Sequence, residues 1–242
     1  MILSVPGPAT GAEPSGATVP PPASVVLRTR LALAEPTLRA ACAALWHPDG
    51  LRPRYLRYLA AMHGLIRASV PLMESAARRC AETPGDPLAE RLGRYLAAHV
   101  EEERDHDAWL LDDLAAAGGD GAALLAAQPP AAVAELAGAQ YYWIEHHHPV
   151  VLLGYILTLE HHAPSPLLAR RLARDTGLPP AAFRTVHEHA ALDGGHAADL
   201  DALLDALPLT PAQLTAVAVG ALHAADGITR LFVRLTAPGG QP

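Results

Sequence analysis

Two stretches of this chain carry one spacing: His99-x-x-x-Glu103-x-x-His106 and His189-x-x-x-Asp193-x-x-His196. On an α-helix, at about 100° per residue, offsets of 0, 4 and 7 fall within an arc of roughly 60°. Each stretch therefore predicts a helix that aims two imidazoles and a carboxylate the same way. Two such faces, joined by carboxylates from other helices, supply the mixed nitrogen and oxygen ligands that suit a pair of iron or manganese ions. The spacing points to a dinuclear metal site inside a helical protein.

The rest of the chain agrees with helices. Half of the 242 residues are apolar but only 5% are aromatic. Alanine is abundant, which favours close helix packing over a strand-rich sandwich, and no segment alternates with period two for long. The expected architecture is all-α in a single domain, residues 24–242, preceded by a Pro/Gly/Ala-rich disordered tail over residues 1–23. Proline and glycine punctuate the helical patterns. Pro36 interrupts a first pattern over 24–46, and Pro71 kinks a second over 53–82. Asp86-Pro87 caps a third helix, about 87–117, which carries the first repeat and stops at Gly118-Gly119. Pro129-Pro130 and Pro179-Pro180 open two more, the latter carrying the second repeat, and Thr210-Pro211 opens the last.

Within LAAHVEEERDHDAWLLDDL, the residues His99, Glu103 and His106 flank an apolar stripe, although Glu102 is i−4 to His106 and competes with Glu103. His189, Asp193 and His196 share one arc beside the stripe of Val186, Ala190 and Leu200. Three such groups beside a core stripe cost stability unless they are paired or ligating. Gly194-Gly195 lies inside this constellation, where it either breaks the helix or loosens a turn. Two carboxylates complete the set: Glu160 ends the apolar run VVLLGYILTLE, and Glu74 follows Pro71 with Arg78 at i+4 as an alternative partner. The cluster Glu145-His146-His147-His148 cannot share one ion without unwinding, because adjacent helical residues point about 100° apart. Tyr141 and Tyr142 are candidates to line a substrate pocket.

Composition excludes several classes. The formal charge is −7, and there is no lysine. An acidic chain without a basic run is a poor partner for nucleic acid or an anionic membrane, and a Schiff-base mechanism lacks its amine. Cys42 and Cys80 have no metal-binding spacing and read as free thiols. No basic n-region precedes an apolar h-region, and no apolar run reaches the ~18 residues of a membrane span. A cytoplasmic protein is expected.

The H-x-x-x-D-x-x-H of His189, Asp193 and His196, together with Glu160, EEERDHDAWLLDDL and YYWIEHHHPVVLLGYILTLEHH, resembles the heme-oxygenase-like di-iron oxidases, often labelled iron-containing redox enzymes. The resemblance spans residues 50–235. It implies a heme-oxygenase-like bundle of about seven helices. It also implies metal ligation by Glu103, His106, Glu160, His189, Asp193 and His196, with two iron ions or an iron–manganese pair and O₂ as co-substrate. Several members of the group place a Glu one or more turns before the first His, where this chain has His99, so either His99 ligates or Glu74 replaces it, while Glu102 stays an alternative to Glu103. The implied activity is oxidation of a C–H or N–H group in a small amino-acid-like or fatty-acyl substrate, with an external electron donor and a possible homodimer. The rival reading is a non-catalytic iron-binding or storage protein on a ferritin-like bundle, which gives no role to His189.

Overall fold

The computed structural model describes residues 20–237. The tail expected over residues 1–23 falls almost wholly outside them. Among the described residues there is no strand, and eleven α-helical segments form: α1 (Ala23–Leu31), α2 (Glu35–Leu45), α3 (Leu51–Ala81), α4 (Pro87–Glu103), α5 (His106–Ala116), α6 (Gly121–Ala126), α7 (Ala131–His146), α8 (Leu152–Glu160), α9 (Leu168–Thr176), α10 (Arg184–Ala206) and α11 (Pro211–Thr236). Short 3-10 turns at Pro149–Val151 and Pro180–Phe183 lead into α8 and α10. The count exceeds the expected seven because proline and glycine divide several long helices into pieces.

The caps are where the sequence places them. The Asp86 side chain accepts from Leu88 N–H with Pro87 at the first turn of α4, Gly177 ends α9 in the left-handed conformation, and Thr210 with Gln213 forms a capping box at α11. Pro71 is carried inside the 31-residue α3.

Two differences from the sequence reading bear on function. The helix expected over 87–117 is two helices, because Arg104 leaves helical geometry and Asp105 turns at φ +67°. Conversely, α10 runs unbroken through Gly194-Gly195. At neither glycine would an added Cβ meet anything within 4 Å, so these glycines serve no close backbone approach.

α11 is the central strut. Its buried residues, including Val217, Ala221, Ala224, Ile228, Leu231 and Leu235, recur at helical spacing and pack against α1, α2, α7 and α8. By length and composition alone it could cross a membrane, yet 56% of that window is buried inside the fold. The α8–α11 crossing is very close: a Cβ on Gly154 would stand 2.2 Å from Val217 O. That approach holds α8, and Glu160 at its end, against the strut. α3 packs along α4, α5 and α7 on the other side, with Leu51, Tyr55 and Leu59 meeting Leu110 and Leu114 of α5 and Leu172 of α9. α10 is tied at its C-terminal half to α1, where Arg28 pairs with Asp201 and Ser24 donates to Asp205.

Candidate metal centre

Four helices deliver ionisable side chains to one place. His99 and Glu103 come from the end of α4, His106 from the start of α5, Glu160 from the end of α8, and His189, Asp193 and His196 from the middle of α10. In α10 the offsets of 0, 4 and 7 act as the helix geometry dictates. The first repeat works differently. His106 lies beyond the break, so the turn at Asp105, and not helical periodicity, returns it to the cluster, where its Nδ1 is 3.0 Å from Glu103 Oε2.

The donors fall into two groups whose ligating atoms lie within 4.8 Å of one another: His99, Glu103, Glu160 and His196 in one, and Glu103, His106 and His189 in the other. Glu103 belongs to both. Its second oxygen is 3.6 Å from His196 Nδ1, which in turn is 3.4 Å from Glu160 Oε2, and His99 Nε2 is 3.5 Å from Glu160 Oε1. The imidazoles pair edge to face, His99 with His196 at 4.9 Å between centroids and His106 with His189 at 5.1 Å. His99 and His106 are each only 3% exposed.

Outer partners fix the rings. His189 Nδ1 donates to Thr185 O at 2.9 Å, which leaves Nε2 as the bare acceptor. Glu102 is half-exposed and meets His99 Nδ1 at 3.1 Å, turning His99 Nε2 inward. Tyr95 stacks on His99 with centroids 5.4 Å apart, and Trp109 lies against His106 at 4.0 Å with the Arg184 guanidinium above its ring. Tyr95 escaped the sequence reading, although its position at i−4 to His99 placed it on the same helical face.

Burial and mutual charge shift the titrations. Burial alone would raise Glu160, but the imidazoles of His196 and His99, 3.4 and 3.5 Å away, outweigh that and hold it at about 2. His196 is raised to about 9, chiefly by the Glu160 carboxylate 3.4 Å from its Nδ1, against the opposing effect of burial. Asp193, 6% exposed, is pushed up to about 8 by burial, reinforced by the carboxylates of Glu160 and Glu103. Burial lowers His189.

Other expected residues are elsewhere. Glu74 is exposed on α3 in a surface groove with Arg78, Glu101 and Arg104, so the structure does not bring it to the cluster. The buried stripe of α7 is Val133, Leu136, Gln140 and Ile144, and Tyr141 and Tyr142, 38% and 64% exposed, project outside it. They line no pocket beside the cluster, which corrects that expectation. Of the histidine run, His146 and His147 are exposed and His148 caps the following 3-10 turn through Val150 N–H. Instead, a cavity of about 210 Å³ opens from His99, Glu103, Glu160, His189 and Asp193 into apolar walls that include Trp46, Tyr58, Met62 and Phe232.

The donor set fits metal ligation. Glu160 Oε2 and His196 Nδ1 are buried without a hydrogen-bond partner, and imidazole with carboxylate is the ligand mixture that iron and manganese accept.

Known proteins resemble this chain in fold and in family. A domain of unknown function with a heme oxygenase-like fold from Shewanella denitrificans superposes with a TM-score of 0.67 at 16% identity, covering 88% of each chain. A TenA homolog from Pseudomonas syringae pv. tomato gives a TM-score of 0.69 at 13% identity, covering 88% of this chain and 93% of that one. At these identities the likeness establishes the fold, a heme oxygenase-like all-α bundle. No curated protein matches the chain. The profile described as iron-containing redox enzyme matches residues 88–227, a segment that begins with α4 and takes in every residue of the cluster, and the chain belongs to that family.

Proposed function

We propose that this protein is a non-heme di-iron oxidase or oxygenase that uses O₂ to oxidise a C–H or N–H group of a small organic substrate. The observation that carries the reading is Glu103, a carboxylate only 10% exposed and common to two donor groups, the position a bridging ligand occupies in a dinuclear centre. His99, Glu160 and His196 would hold one ion, His106 and His189 the other, and Glu103 both. Asp193, between His189 and His196 on α10, would join them once its proton leaves. An iron pair, or iron with manganese, would supply reversible redox chemistry toward O₂.

The chain supplies the rest. Thr185 O and Glu102 orient the imidazoles of His189 and His99. The apolar cavity excludes water and presents substrate to the cluster, and the protons on His196 and Asp193 must leave before those groups ligate. A ferritin-like storage role finds less support, because the substrate-sized cavity and His189 have no part in it.

Anaerobic Fe(II) titration followed by O₂ exposure tests the proposal. Uptake of about two irons per chain and a transient visible absorption on mixing with O₂ are expected for a dinuclear carboxylate centre. Binding of one iron or none would sink the dinuclear assignment, and stable storage of iron without turnover would favour the non-catalytic alternative. His196→Ala and Glu160→Ala should each abolish the transient.

A further inference from the structure

We propose that the substrate enters as a neutral alkyl or arylalkyl molecule, and not as a free amino acid or other charged metabolite. The inference rests on the metal-centre reading above and extends it from the cluster to the cavity that leads away from it. That cavity begins at the carboxylates and imidazoles of α4, α8 and α10 and reaches Leu38, Cys42 and Trp46 of α2. α2 packs mainly on α11 and not on the ligand-bearing helices, so the cavity runs well past the metal donors.

Charge is the first argument. No arginine lines the cavity and the chain has no lysine, while Glu103, Glu160 and Asp193 face it from one end. A substrate carboxylate finds no guanidinium or ammonium there, only imidazoles, of which His99 is already engaged by Glu102 and Glu160 and His189 is lowered by burial. A substrate ammonium would have to compete with the metals for the same carboxylates. Burying either charge without a partner costs far more than an apolar contact returns.

The wall's polar atoms make the second argument. Thr158 Oγ1 is within 3.0 Å of both Gly154 O and Ala221 O, and His162 Nδ1 donates to Thr158 O at 2.7 Å, so these two donors are committed to the helix backbone. Tyr155 Oη, Thr185 Oγ1 and His162 Nε2 are buried without a partner on residues of the same wall, so away from the carboxylates the cavity offers hydrocarbon and aromatic surface with a few neutral polar atoms and no fixed charge.

Size is the third. At about 210 Å³ the space exceeds the ~150 Å³ at which a Leu-, Ile- and Phe-lined cavity stays dry and takes up benzene. It suits an aromatic ring bearing a short alkyl chain, or an alkyl chain of equivalent volume.

The test is a homologous series on the full chain, metal-free and loaded with redox-inert Zn(II): toluene, ethylbenzene, propylbenzene and butylbenzene, against L-phenylalanine and 3-phenylpropionate, read by calorimetry or ligand-observed NMR. Affinity should rise about fourfold per added methylene until the cavity is full. L-phenylalanine should not bind, and 3-phenylpropionate should bind at least about tenfold more weakly than propylbenzene in both forms. A flat series, or a charged analogue that equals its neutral counterpart in either form, would overturn the proposal. The Zn-loaded arm covers the case in which the metals themselves hold a carboxylate head. Cys42→Phe fills the α2 end of the cavity and should shift the optimum to a shorter homologue with Zn(II) uptake unchanged. An unshifted optimum would show that the substrate does not reach α2. Zn(II) stoichiometry on the same samples separates the two readings: loss of uptake with the series intact refutes the metal centre and leaves the apolar site standing, while normal uptake with a flat series refutes only the substrate class.

Discussion

Glu103 offers one oxygen to His106, at 3.0 Å, and the other to His196, at 3.6 Å, so it couples α5 to α10 through a single buried side chain. Removing it should therefore cost more than removing a donor that belongs to one group. Glu103→Ala is expected to lose both tightly bound ions, whereas His106→Ala or His99→Ala should retain about one ion per chain, because each deletes a ligand from one group alone. Elemental analysis after gel filtration checks this, and loss of both ions from His106→Ala would show that the groups are not separable. Glu74→Ala, on the exposed face of α3, should leave metal content unchanged. At this scale the sequence was legible wherever helical spacing alone decides position: His189, Asp193 and His196 share a face as the offsets require. It was not legible for Glu103 against Glu102, which lie i−3 and i−4 to His106. Tertiary packing separates them, leaving the Glu103 side chain 10% exposed beside His106 and Glu102 half-exposed as the partner of His99. Tyr141 and Tyr142 were misplaced although α7 announces its inner stripe through Val133, Leu136, Gln140 and Ile144.

The two helical repeats are alike in sequence and unlike in form. α10 is one helix, whereas the first repeat straddles the α4–α5 break. A cue was present: Glu101 with Asp105 and Glu103 with Asp107 are like charges at i,i+4, which weaken a continuous helix. What the chain alone could not convey is that the break helps the site by letting His106 fold back onto Glu103. Asp105 holds φ +67°, so Asp105→Gly should be neutral or stabilising, while Asp105→Val should destabilise by about 1–2 kcal/mol. Equal midpoints in urea for the two variants would refute the left-handed turn. In α10, Gly194 and Gly195 are exposed, helical and unobstructed, so the double change to Ala should stabilise the metal-free protein by roughly 1.5–2 kcal/mol. Amide exchange over residues 185–200 in the native chain should then slow on metal loading, because ligation by His189, Asp193 and His196 spans the weakened turn. Unchanged protection would remove the idea that this segment depends on its ligands for order.

For the whole molecule, the cluster couples folding to pH in opposite senses with and without metal. Glu160, held near 2, contributes stability that is complete above its unfolded value of about 4.3 and is lost as pH falls toward 2. His196, raised to about 9, contributes stability that is complete below about 6.5 and is lost as pH rises through 9. Asp193, raised to about 8, keeps a proton that the unfolded chain releases near 3.9, so it too makes the fold weaker as pH rises through 8. Above about pH 7.5, where the histidines that burial lowers (His63, His148, His161, His189 and His223) are largely neutral in both states, the metal-free native state binds more protons than the unfolded chain, and its melting temperature should fall from there to pH 9. Metal ions displace these same protons, so metal affinity rises with pH, and with it the stabilisation, which grows with the logarithm of ligand over Kd. Thermal unfolding at pH 7.5 and 9, in chelator and with excess Mn(II) at each pH, should show the two curves diverging as pH rises. Calorimetry in buffers of different ionisation enthalpy should register the release of about two protons on loading near pH 7, one each from Asp193 and His196. A metal-free melting temperature that stays level across the interval, or loading without proton release, would mean that the charges of Glu160, Asp193 and His196 are not coupled through the core as their burial requires.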